Sequence, residues 1–196
     1  MASNQRPCKH VLLLAVLFVC AASVPLAGGR LDRLADLRFR GVRVLVAALA
    51  VQILILAVLD GGDEVLLGAV YLATLCTAGL FIWSNRRIVG IPLIGLGGVL
   101  NALAIAANDG VMPARPGALE AAGRPIVEEG FRNSAAVGDP NLAWLGDTFA
   151  IPAGWPLANV FSVGDVIIVI GAFVLLHVAC GSRLPRLVGW EARPSV

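Results

Sequence analysis

Asp147 and Asp165 stand at the two ends of a short Pro- and Gly-rich bend, GDTFAIPAGWPLANVFSVGD, and a long apolar run follows at once. Two carboxylates that share a low-dielectric site cannot both ionise easily, so one keeps a proton. One then activates water while the other protonates a carbonyl oxygen or a leaving group, which is the chemistry of an aspartyl hydrolase. The second acid has a simpler explanation as well. Ser162 followed three residues later by Asp165 has the spacing of a capping box before an apolar helix, and a carboxylate in the first turn suits the helix dipole. Capping accounts for Asp165 and leaves Asp147 unexplained. A polar group also interrupts the upstream run IPLIGLGGVLNALAIAANDGVMP, at Asn101. Buried in an apolar setting, its amide needs a partner. Gly95, Gly97 and Gly98 beside it allow another helix to come close. Asn108-Asp109-Gly110, with Pro113 beyond, is a helix stop.

The elements that hold these residues are apolar runs. Hydrophobic residues make up 58% of the 196-residue chain and charged residues 14%; mean hydropathy is +0.85. A soluble domain of this size has too much surface to hide so much apolar side chain, so lipid is the expected solvent. Runs of membrane length, about 20 residues, cover 10–27, 42–59, 65–84, 88–107 and 164–180. The expected fold is all-α: a single integral-membrane domain, a polytopic helical bundle of about five spans with one long extracytoplasmic loop over 108–163. The first run also has the layout of a cleaved leader, but the arginine-rich GGRLDRLADLRFRGVR behind it argues for retention.

Basic residues set the orientation. Ten of the 15 Lys and Arg fall in the first loop, the third loop and the C-terminal tail. The positive-inside rule therefore puts the C-terminus in the cytoplasm and the N-terminus outside the cell membrane. Leu31, Leu34 and Leu37 in the basic loop have the spacing of a short interfacial helix. The four tryptophans fall at the proposed interfaces or in outer loops. Cys8, Cys20, Cys76 and Cys180 form no C-x-x-C pair and read as free thiols. His10 and His177 make no zinc ligand set, so no metal and no cofactor is expected. Neither is nucleic acid; the expected partner is the lipid bilayer.

GGRLDRLADLRFRG, LGGVLNALAIAANDGVMP and LGDTFAIP…NVFSVGD together resemble an uncharacterised bacterial multi-pass membrane family, a domain of unknown function. GWPLANVFSVGDVIIVIGAFVLL is similar to the last helix of lipoprotein signal peptidases. That resemblance implies a catalytic pair of Asp147 and Asp165, with Asn101, Asn108 and Ser162 as supporting or substrate-binding residues. It also implies a peptide or lipoprotein-like substrate at the outer interface. Ser162 stands where that family has Asn, and Gly164 where it has Ala. A non-catalytic accessory or assembly protein and a small transporter remain open as alternatives, and the oligomeric state is not legible.

Overall fold

The computed structural model describes residues 8–58, 64–124 and 139–184. The apolar runs form helices: α1 (Cys8–Leu26), α2 (Val42–Val58), α3 (Glu64–Ser84), α4 (Ile91–Ala106) and α6 (Val163–Ala179). A short α5 (Pro116–Ala121) and two strands, β1 (Asp147–Ile151) and β2 (Asn159–Ser162), lie between α4 and α6. Among the described residues no helix is long and apolar enough to cross a membrane. α2, α4 and α6 have 17, 16 and 17 residues. At about 1.5 Å per residue these reach about 24–26 Å, short of a hydrocarbon layer of about 30 Å. The expectation of a multi-pass cell-membrane bundle, with its five spans, outer loop and assigned faces, is corrected accordingly. For α4 the run overstates the helix, because the turn before it is apolar too. Gly90, at φ 94°, precedes Pro92 in the first turn, so α4 starts at Ile91 although its run begins at Ile88.

At the far end of α4 the helix stop behaves as its residues suggest. Asp109 and Gly110 take positive φ, 52° and 85°, and the Gly110 amide donates back to the Ile105 carbonyl at 3.0 Å. The basic loop holds a 3-10 turn over Leu31–Asp36. There Arg30 pairs with Asp32 at 2.6 Å, and its hydrogen bonds hold that carboxyl below the ordinary range. Trp83, Trp144 and Trp155 are exposed, as are Phe18 and Leu26 of α1. The interfacial placing of the tryptophans is corrected together with the membrane reading on which it depended, and Trp190 lies outside the described residues.

α4 and α6 meet backbone to backbone. A Cβ on Gly97 would strike the Gly164 carbonyl, and one on Gly171 would lie 2.7 Å from the Ile94 amide. Gly95 instead faces Ile82 of α3, while Gly98 has open space beside it. Of the three glycines singled out in the sequence, Gly97 therefore makes the close approach to α6.

Two asparagines at helix ends act as surrogate peptide groups. After α3, the Asn85 amide accepts from the Arg40 N–H at 2.8 Å and donates to the Arg40 carbonyl at 2.9 Å. It also donates to the Phe81 carbonyl of its own helix at 2.8 Å. After α4, Asn108 repeats the pattern. It donates to the Ala104 carbonyl, and it accepts from the Asn141 amide at 2.9 Å while donating to the Asn141 carbonyl at 2.8 Å. Each closes a helix end and ties a distant loop to it. Asn85→Ala strips three bonds from a site where the residue is 3% exposed. It is expected to lower unfolding free energy by about 2–3 kcal/mol in a denaturant titration. A loss below about 0.5 kcal/mol would mean the clamp is ornamental.

The all-α expectation is corrected by the sheet. β1 and β2 pair antiparallel, Asp147 opposite Ser162, Phe149 opposite Phe161, Ala150 opposite Val160 and Ile151 opposite Asn159. Thr, Phe and Ile in one strand and Val and Phe in the other are strand formers, and the bend between them carries Pro152, Gly154 and Pro156. Behind the sheet, Ala114, Ala118, Leu119, Ala122 and Val160 form a small core that packs α5 on both strands. Ala104, Met112 and Leu145 form another at the end of α4.

Candidate active site

The strand register places the first acid. Side chains alternate along a strand, so Asp147 and Phe149 would ordinarily share a face. The ladder slips between them, leaving Thr148 as the extra residue of a bulge. Asp147, 2% exposed, is thereby turned inward with Ser162, which is fully buried. Phe149 stays 45% exposed and stacks on Phe161, with ring centroids 5.4 Å apart. The backbone of Asp147 is fixed on its other edge. Its amide donates to the Pro113 carbonyl at 2.8 Å, and its carbonyl accepts from the Arg115 amide at 3.0 Å.

The second acid is held by the helix it begins. Ser162 is the N-cap of α6, and the capping box is closed in both directions. The Asp165 amide donates to Ser162 Oγ at 3.0 Å, and the Ser162 amide donates to Asp165 Oδ2 at 3.1 Å. Asn101 of α4 completes the network. Its Nδ2 donates to Asp165 Oδ1 at 2.8 Å, and its Oδ1 accepts from Ser162 Oγ, also at 2.8 Å. The mid-helix amide thus finds both its partners on the start of α6. The glycine seam makes this reach possible, since a Cβ on Gly164 would overlap Asn101 Oδ1.

Three of the five residues expected at the site, Asn101, Ser162 and Asp165, share one hydrogen-bond network, and Asp147 is the strand partner of Ser162. Asn108 does not join them. Its amide is spent on Ala104 and Asn141, which makes it a clamp at the end of α4. Chemically, the network offers one carboxylate, a hydroxyl and an amide that fixes the acid, with the second acid, Asp147, on the strand opposite Ser162. Among the described residues no group of three or more His, Cys, Asp or Glu side chains comes together to hold a metal ion.

A second polar cluster lies at the opposite end of α6, and the sequence did not announce it. His177, 1% exposed, has Nε2 3.0 Å from Ser23 Oγ of α1 and Nδ1 2.8 Å from Ser182 Oγ. Burial holds its imidazole below the ordinary histidine range. Cys20 and Cys180 are free and buried nearby in sequence, whereas Cys76 is free and exposed. Burial pushes both buried thiols up.

The profile described as "Family of unknown function (DUF5317)" matches residues 36–177. An uncharacterised protein of Thermotoga maritima is 32% identical over 94 residues, which is 48% of this chain and 54% of that protein. The chain thus spans about half the length of that relative. No solved structure matches.

Proposed function

We propose an activity for a chain that belongs to the DUF5317 family, a family of unknown function: hydrolysis of peptide bonds by Asp147 and Asp165. The observation that carries this reading is the strand pair. Asp147 stands opposite Ser162, and Ser162 is the residue through which Asp165 is held. A bulge beside a buried acid is the kind of irregularity that re-aims a side chain for use. The likeness of GWPLANVFSVGDVIIVIGAFVLL to the last helix of lipoprotein signal peptidases supports the same pair.

In this reaction one carboxylate takes a proton from water as the water oxygen attacks the carbonyl carbon. The other carboxyl gives its proton to the carbonyl oxygen. The tetrahedral diol then collapses, the C–N bond breaks, and the leaving nitrogen takes up a proton. Asn101 and the Ser162 amide position Asp165 throughout.

The test is cleavage of a peptide library prepared from a digested proteome, with new termini read by mass spectrometry. The wild-type chain is expected to produce them, and Asp147→Asn to reduce their rate about a hundredfold or more. No new termini from the wild type, or an unchanged rate in the variant, overturns the proposal. A non-catalytic accessory role is the second reading. The closed capping box favours it, since helix capping already uses Asp165.

A further inference from the structure

The hydrogens around His177 can be counted. Ser23 Oγ donates its one proton to the Cys20 carbonyl at 2.7 Å. It can then only accept from His177, so Nε2 carries the imidazole proton and donates to Ser23 Oγ at 3.0 Å. Nδ1 is left as an acceptor for the Ser182 hydroxyl at 2.8 Å. With the imidazole neutral, the result is a directed chain, Ser182 to His177 to Ser23 to the Cys20 carbonyl. Phe173 covers the ring, with centroids 4.1 Å apart.

This chain joins the end of α1 to the segment after α6. Two backbone bonds run beside it. The Arg30 amide donates to the Cys180 carbonyl at 2.9 Å, and the Arg183 amide donates to the Ala27 carbonyl at 3.0 Å. We propose that His177 is a proton-operated latch: neutral, it fastens α1 to the segment after α6, and on taking up a proton it lets the two part.

An added proton on Nδ1 meets a hydroxyl that already points at it. Ser182 must turn and give up the bond it donates, and the new charge has left water. Among the described residues the hydrogen-bond partners of the His177 ring are the two serines, and Asp32 and Asp36 of the 3-10 turn make no hydrogen bond to it. α4 has no ionisable side chain over 91–106. α1 presents Cys20, and the segment after α6 presents Cys180 and Arg183. The 3-10 turn and its approach bring Arg30, Asp32 and Arg33. Asp32 is held by Arg30, while the Arg33 guanidinium lies against Gly181 and Arg183 lies over Gly28. The lowered value of His177 fixes the sign. The unfolded or opened chain takes the proton first, so stability falls as pH drops through the ordinary histidine range towards the lowered folded value.

The thiols report the opening. Cys20 is 6% exposed and Cys180 is fully buried, whereas Cys76 is exposed in the same chain and normalises the reagent. With 4,4′-dithiodipyridine and site-resolved mass spectrometry, Cys20 and Cys180 are expected to react about tenfold faster, relative to Cys76, near pH 5 than near pH 8. His177→Gln keeps a donor and an acceptor but cannot titrate, and its ratio should be flat with pH. A second measurement uses the wild-type chain alone. Histidine NMR, with His10→Gln to assign the two rings, should place the His177 titration at the midpoint of the labelling change. A pH-independent ratio in the wild type, an unchanged pH dependence in a folded His177→Gln, or midpoints more than about one unit apart overturns the latch.

Discussion

Gly164→Ala is expected to destabilise the chain by about 3 kcal/mol or more and to leave little folded protein. The new methyl would enter the close backbone seam between α4 and α6. It would overlap Asn101 Oδ1 and approach the Gly97 carbonyl to 2.7 Å. A flexible side chain yields to such a clash at small cost, but here one neighbour is helix backbone and the other is the amide that binds both Ser162 and Asp165. Relief therefore means separating the helices or breaking the network, and both forfeit buried hydrogen bonds. Gly98→Ala, one residue beyond the seam, meets nothing within 4 Å. It should stabilise α4 by about 0.5–1 kcal/mol through helix propensity alone. Denaturant unfolding of the two variants beside wild type checks the contrast. Equal midpoints for all three would show that α4 and α6 do not approach as described.

Asp165→Asn is expected to fold and yet lose hydrolysis about a hundredfold or more. Asparagine retains an oxygen that accepts the Ser162 amide, so the box survives in part. What goes is the charge facing the helix dipole, worth about 0.3–1 kcal/mol. The Asn101 amide can turn so that its oxygen accepts from the new amide nitrogen and its Nδ2 donates to Ser162 Oγ. A cap residue would tolerate the change, whereas half of an acid–base pair would not, because an amide cannot carry the proton. Asp147→Asn combined with Asp165→Asn should then be no slower than either alone, since groups that act as a unit are lost together. Multiplying losses in the double variant would mean that the acids act separately, and a fully active Asp165→Asn would reduce the residue to its cap.

Much of the site was written locally. The Ser162–Asp165 spacing announced the capping box, Gly97 the close approach, and Asp109-Gly110 the end of α4. Each depends on neighbours within one or two turns, where backbone geometry ties sequence spacing to space. The residues that escaped are those whose partners lie far along the chain. Asn85 binds Arg40 across 45 residues, and His177 binds Ser23 across 154. Nothing near Asn85 distinguishes it from any polar residue after a helix. Asn108 was expected to help the acids only through the resemblance to lipoprotein signal peptidases, since its own neighbours mark a helix stop. The turn at its end of α4 sends it to Asn141 instead. The strands were hidden for another reason. DTFAI and NVFS are five and four residues long, too short to show alternation, and the bulge at Thr148 breaks what alternation there is. The length of the run ahead of α4 misled in the opposite sense, because composition counts the turn Ile88–Gly90 together with the helix proper.

The seam between α4 and α6 also governs the order of assembly. The two helices pack along their length, yet 56 residues separate Ala106 from Val163. Closing so long a loop has an entropic cost that no local contact offsets in advance. α5 and the β1–β2 hairpin lie wholly within that interval, and their contacts span far less chain. They can therefore form first and draw the helix ends together, with Asp147 already opposite Ser162 before Asn101 arrives. Non-local pairing of this sort slows folding compared with an up-and-down bundle of equal size. The acid site is thus completed only with the docking of α4 on α6, and the still longer closure of α1 on the end of α6 spans 154 residues.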